Sequence, residues 1–226
     1  MFVALRLISL PEGRLAERNA IVAALGAAAP RLPGVTSCWV APVSPTAVIN
    51  AGDILWRMTS ATEGEALRAA ETAVWRDDIA PLLTGLAPIL IGYRITGSTV
   101  RRRGPGIWRA LIFRTFPGAD PALLRQLESA TLLLPDHVHE IRSWALNTIA
   151  FTDGAKAFTH VWEQEFDRID DLTGPYMTDP AHWGIADAYF DAEYPEYVVD
   201  PHLIQVVGVI DASILPAVGP QPEDIA

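Results

Sequence analysis

Tyr176 and His182 stand six residues apart in Tyr176-Met177-Thr178-Asp179-Pro180-Ala181-His182-Trp183, the segment densest in groups able to move a proton. Aspartate is a favoured helix N-cap and proline suits the first helical position, so Asp179-Pro180 predicts a helix start. His182 then falls in the first helical turn. There the partial positive charge of the helix end disfavours imidazolium. A neutral imidazole is what a general base requires. Tyr176 lies in the loop just before, within reach of the same cavity.

A second candidate precedes them. Thr159-His160-Val161-Trp162-Glu163-Gln164 reads as a strand, and alternation puts His160, Trp162 and Gln164 on one face. On an earlier strand, Ala110, Ile112 and Arg114 form the row expected to adjoin them. Arg114 is the expected cation for an acidic substrate. Ile112, Trp144, Trp162, Trp183 and Gln164 are the expected pocket lining. His137-Val138-His139 has metal-like spacing but no convergent acid, so a surface position is expected and no metal.

All five histidines lie in the second half of the chain, although the two halves read as copies of one unit. Each opens with an apolar strand ending before a proline, at Ile8-Ser9-Leu10-Pro11 and Arg114-Thr115-Phe116-Pro117. Helical stretches follow, about Arg14 to Ala29 and Pro121 to Leu134. Next come strands through Trp39 and Trp144, a polar turn (Asn50-Ala51-Gly52; Thr152-Asp153-Gly154), and strands through Trp56 and Trp162. A second helix, about Glu63 to Leu83 and Pro180 to Glu193, precedes a closing strand at Ile89 to Ile95 and Leu203 to Ile210. In the first copy Ile54 replaces His160, and Glu71 and Trp75 stand where the second has Tyr176 to His182.

This order, β-α-β-β-α-β, predicts an α+β chain of two tandem ferredoxin-like repeats. Helices cover one face of each sheet, so the bare faces are expected to pack together as a fused dimeric α/β barrel with room for one small ligand. The expected divisions are a degenerate repeat over 1–97, a linker over 98–106, a repeat with the site over 107–216, and a tail over 217–226. An insertion around Tyr194, Tyr197 and Asp200-Pro201-His202 precedes the last strand; it reads as a lid or a decorated loop.

A formal charge of −10 argues against nucleic acid or an anionic membrane as partner. Cys38 is the only cysteine, which excludes a disulfide framework and fits a reducing cytoplasm. No apolar run reaches the roughly 20 residues of a membrane span. The N-terminus reads as a strand, not a signal peptide. Gly-rich phosphate loops and nucleophile elbows are missing, which leaves nucleotide and covalent serine chemistry without support.

Phe158-Thr159-His160-Val161-Trp162-Glu163-Gln164-Glu165-Phe166, followed by Tyr176 to His182, resembles the stress-responsive α/β-barrel (Dabb) family of dimeric ferredoxin-like proteins. The resemblance covers about the last hundred residues. It implies a cofactor-free enzyme in which His182 is the general base, Tyr176 is acid or oxyanion donor and His160 lines the pocket. Two family histidines are replaced, one by Ala110 and one by Asp179. The expected activity is a lyase or cyclase reaction (decarboxylation, retro-aldol cleavage or aldol-type cyclisation) on a small aromatic or polyketide-like molecule. Rival readings are a non-catalytic small-molecule binding or stress-response protein and a haem-handling or monooxygenase-like barrel. Further pairing into a homodimer is compatible with the family.

Overall fold

The computed structural model describes residues 1–153 and 157–218. Gly154, and the expected tail beyond Val218, lie outside the described residues. The chain divides into two compact units. The first takes Met1–Ser44, Ala51–Ile95 and the stretch from Ile149; the second takes Pro45–Asn50, Thr96–Thr148 and the chain from Phe158.

In the first unit the order is β1 (Phe2–Ile8), α1 (Arg18–Ala28), β2 (Val35–Pro42), β3 (Ile54–Ser60), α2 (Glu63–Arg68), α3 (Ala80–Leu83) and β4 (Ile89–Arg94). Its strands pair antiparallel in the order β2-β3-β1-β4. Thr62 opens α2 with a capping box: its side chain takes the Glu65 N–H, and Glu65 returns a bond to the Thr62 N–H. The single helix expected over 63–83 is broken. Thr72 is extended (ψ 158°) and its hydroxyl takes the Trp75 N–H (3.2 Å), which starts a separate π-helical turn at Trp75–Ile79.

The second unit repeats the plan. It contains β5 (Thr99–Val100), β6 (Gly106–Phe113), α4 (Pro121–His137), β7 (Ser143–Asp153), β8 (His160–Phe166), α5 (Ile169–Asp171) and β9 (Ile204–Ile210). The order β7-β8-β6-β9 matches that of the first unit, with β5 paired to Ser143 and Trp144 of β7. The chain is therefore α+β, with two ferredoxin-like repeats. The segment expected as a linker carries a strand, β5. Asp120 caps α4 through the Ala122 N–H (2.8 Å). Leu127, Ala130, Thr131 and Leu134 form the buried face of α4 against the sheet.

Where a second helix is expected, the chain makes two π-helical turns, Leu172–Tyr176 and His182–Ala186. The first of these precedes the helix expected from Pro180 to Glu193. Within that span a 3-10 turn, Asp187–Tyr189, follows His182–Ala186, and the helical structure ends there, short of Glu193. The expected insertion is tied down. Arg114 Nε donates to Asp200 (2.9 Å), Phe116 meets Tyr197 edge-on (5.0 Å) and Val198 and Val199 are buried.

β6 is buried on both faces, which removes the inside–outside alternation that would reveal its orientation. Register supplies it instead. Arg109 faces Gln164, Leu111 faces Trp162 and Phe113 faces His160. The odd-numbered residues therefore look toward the helices, together with His160, Trp162 and Gln164. Trp108, Ala110 and Ile112 occupy the opposite face with Val161 and Glu163, and all five are fully buried.

Candidate active site

A cavity of about 260 Å³ opens between the second unit's sheet and its helices. Leu111, Phe113, Trp162, Thr131, Leu134, Ala186 and Phe190 give it an apolar lining; Arg109, Tyr176, His182, Asp187 and Gln205 are its polar groups. The ligand site was expected inside the barrel. The cavity lies instead on the helix-covered face, because that is where the odd parity of β6 directs its side chains.

His182 and Tyr176 meet here edge to face, with ring centroids 4.7 Å apart. The Asp179 side chain takes the Ala181 N–H (2.8 Å) and its carbonyl takes the His182 N–H (3.0 Å), which orients the turn carrying His182. Burial pushes the imidazole pKa down to about 4, aided by the positive charge of Arg109 and opposed by Asp179. The ring is therefore neutral near pH 7. Its Nδ1 is buried without a hydrogen-bond partner and lies 3.7 Å from Asp187 Oδ1. The Asp187 carboxyl is itself raised, by burial and then by Asp191.

Arg109 was not among the expected residues, yet it organises the site. Its guanidinium donates to Gln164 Oε1, to Gln205 Oε1 (3.1 Å from Nε) and to Tyr176 Oη (3.3 Å), and sits 5.3 Å from the centre of the Tyr176 ring. Gln205 is held in turn by a segment from the first half of the sequence. Its Nε2 donates to the Ala47 carbonyl (2.9 Å), and Ile49 and Gln205 exchange backbone hydrogen bonds (2.8 and 2.9 Å). Ala47 and Asn50 adopt positive φ (58° and 52°) in that segment. The loop Pro45–Asn50 packs as part of the second unit and completes the cavity wall.

The expected residues separate into three groups. His182, Tyr176 and Trp162 line the cavity, and Gln164 supports Arg109 from beneath. His160 does not join them. Phe113 stacks flat on its ring (5.0 Å, 6°) and it faces a different hollow of about 590 Å³ beside Glu128 and Trp144. There its Nε2 lies 3.3 Å from Glu128 Oε1 and its Nδ1 2.8 Å from Thr159 Oγ1. Trp144 belongs to that hollow too, under the Arg101 guanidinium (4.5 Å). Ile112 points to the opposite sheet face, Arg114 is engaged by Asp200, and Trp183 is 58% exposed with its Nε1 on the Met177 carbonyl. Ala110 likewise lies on the far face; the opening-strand residues that line the cavity are Arg109, Leu111 and Phe113.

Sequence reading missed Asp187 because it assumed α-helical spacing. A π-helical turn brings residue i+5 beside i, and the Asp187 N–H bonds the His182 carbonyl. Among the described residues no group of three potential metal ligands occurs. No helix among them is long and apolar enough to cross a membrane.

Residues 107–207 match the Stress responsive A/B Barrel Domain family. The matched stretch spans the second repeat. It contains the whole polar constellation from Arg109 to Gln205 apart from the Ala47 carbonyl. No curated protein matches the chain. Three solved structures share the two-repeat fold along nearly its full length. An anthrone oxidase-like protein has TM-score 0.63 at 10% identity, covering 94% of this chain and 92% of its own. A proposed monooxygenase from Fusobacterium nucleatum has TM-score 0.59 at 7% identity, covering 94% and 93%. A proposed monooxygenase from Lactobacillus acidophilus has TM-score 0.56 at 7% identity, covering 95% and 99%. At such identities the likeness is one of fold.

Proposed function

We propose that the second repeat is a cofactor-independent acid–base enzyme that removes a proton from an activated carbon of a small molecule. The observation that carries this reading is the contact between a neutral, buried His182 and Tyr176 inside an apolar cavity that also holds a guanidinium. His182 takes the proton. The resulting imidazolium lies within ion-pair distance of the Asp187 carboxyl, which steadies it. Tyr176 Oη accepts from Arg109 and so keeps its own O–H free to donate to the enolate or phenolate oxygen that develops. A positioned base contributes about 10² to 10⁴ in rate, and an oxyanion donor a comparable factor. Decarboxylation, retro-aldol cleavage and aldol-type cyclisation all use this equipment, and a lyase or cyclase of that kind is the reading that fits it. A cavity of about 260 Å³ sits at the small end of ligand sites and suits a molecule of about one ring.

Proton abstraction is measurable before the product is known. The protein is incubated in D₂O with one-ring 1,3-dicarbonyl compounds and hydroxylated aromatic acids, and deuterium uptake at carbon is followed by mass spectrometry. Uptake is expected with the native chain and should fall at least about a hundredfold in His182→Asn. Uptake that persists unchanged in that variant refutes the assignment of the base.

A further inference from the structure

The polar end of the cavity carries a charge that the protein does not neutralise. Arg109 is 3% exposed, yet its hydrogen-bond acceptors are two carboxamide oxygens and a phenol. Among the described residues no carboxylate lies within ion-pair distance of it. The nearest acid in the lining, Asp187, stands on the His182 side. Its partners differ from those of the chain's other deeply buried arginine of this unit. Arg142, 2% exposed, sits 3.2 Å from Asp167 and 3.8 Å from Glu165. Desolvating a guanidinium is costly, and neutral dipoles repay only part of it.

A guanidinium has five N–H groups in a planar fork. Four hydrogen bonds to these three residues leave one Nη2 N–H uncommitted, on a residue that lines the cavity. Gln164 is fully buried and Gln205 is pinned by Ala47, so the fork is held in a fixed orientation before any ligand arrives.

We propose that this pocket binds its substrate as a small monoanion, an apolar body of about one ring bearing a carboxylate that docks on Arg109. This rests on the reading that the Tyr176–His182 cavity is the working site. The apolar body lies against Leu111, Trp162 and Leu134, and the carboxylate lies toward Gln205. Such a ligand also prepares the base. The positive charge of Arg109 is one of the causes that depress His182, and an anion beside it cancels that field. His182 therefore becomes a stronger base when the correct substrate is bound. Neutral molecules of the same shape lack this effect.

The test is calorimetric titration of the full chain at pH 7 with two isosteric pairs, benzoate against benzamide and phenylacetate against phenylacetamide. The carboxylates are expected to bind at least about tenfold more tightly than their amides. That preference should vanish in Arg109→Gln and survive in His182→Asn. Equal affinity within each pair overturns the proposal, as does failure of either carboxylate to saturate at low millimolar concentration, or a preference that persists in Arg109→Gln. The paired ligands on the native protein decide the matter even where Arg109→Gln does not fold. A carboxylate preference with no deuterium uptake on any compound sinks the enzyme reading and leaves the anion site standing; uptake on neutral ketones with no carboxylate preference does the reverse.

Discussion

His182 should make the protein less stable in mild acid, by an amount set by its burial. In the unfolded chain an imidazole titrates near 6.5; in the fold it is pushed down to about 4. Between those values the unfolded chain holds a proton that the folded chain refuses. Stability contributed by the neutral ring is therefore fully present above about pH 6.5 and is lost as pH falls toward 4. Each pH unit inside the window costs up to about 1.4 kcal/mol, and the loss between pH 7 and pH 5 comes to about 2 kcal/mol. The ring is 9% exposed, so water screens it little. Urea unfolding at pH 7 and pH 5, followed by tryptophan fluorescence, measures it. His182→Asn removes this contribution but leaves the carboxylates and the other four histidines, so their effects cancel in the comparison. The native chain should lose about 2 kcal/mol more than the variant between the two pH values. Equal losses would mean that the imidazole titrates as if in water, and a base in a dry cavity would have to be abandoned.

Other perturbations have equally definite outcomes. Arg109→Gln removes a positive neighbour, so the His182 imidazole should titrate higher than about 4, read by NMR of the ring protons; no upward movement contradicts the stated cause of the depression. His160→Gln should leave deuterium uptake in the Tyr176–His182 cavity within about twofold of native, because Phe113 stands beside it and it opens on another hollow; a loss like that expected on removing the base would unite the two sites. Gly106→Ala should destabilise by about 1–3 kcal/mol in urea unfolding, since a Cβ there would lie 2.2 Å from the Phe166 carbonyl oxygen. Ala47→Gly should raise stability by up to about 1 kcal/mol, because φ of 58° is unfavourable for alanine and open to glycine.

The repeat was legible because tryptophans and prolines punctuate both halves at matching places, and these residues have few alternatives once packed. The face of β8 was legible for the same reason: Trp162 fixes its parity. The face of β6 was not. Ile107, Trp108, Arg109 and Ala110 are all buried, so hydrophobicity along that strand has no period. Choosing Ala110, Ile112 and Arg114 as the cavity row was off by one residue, and a slip of one sends each side chain to the other face. That slip exchanged Arg109 for Arg114. Gln205 and Ala47 were beyond reach on different grounds. They act through a contact 158 residues apart in sequence, and local pattern carries no trace of such a contact. Asp187 was hidden by the π-helical turn, whose five-residue spacing a 3.6-residue period does not anticipate.

The two repeats use a buried arginine in opposite ways. In the first unit, Arg6 lies opposite Trp56, the position Leu111 takes opposite Trp162. Its guanidinium is sandwiched between Trp56 (4.8 Å) and Trp75 (4.9 Å), and those rings stack at 5.6 Å. Burial lowers its pKa to about 10, and aromatic faces supply the attraction that an anion otherwise would. Trp75 comes from the turn that matches the one carrying His182, so the volume that is cavity in the second unit is ring in the first. Two residues along the same face, Ala4 opposite Met58 replaces Arg109 opposite Gln164. The first repeat thus has no cradle for a carboxylate, and its cation is spent on packing. Replacing Trp75 with alanine would uncover Arg6 without supplying a base or a phenol. That variant should gain affinity for benzoate, read by the same titration, while carbon deuteration stays at the native rate. A gain in deuteration would show that a desolvated cation alone suffices, and that His182 and Tyr176 had been given too much of the chemistry.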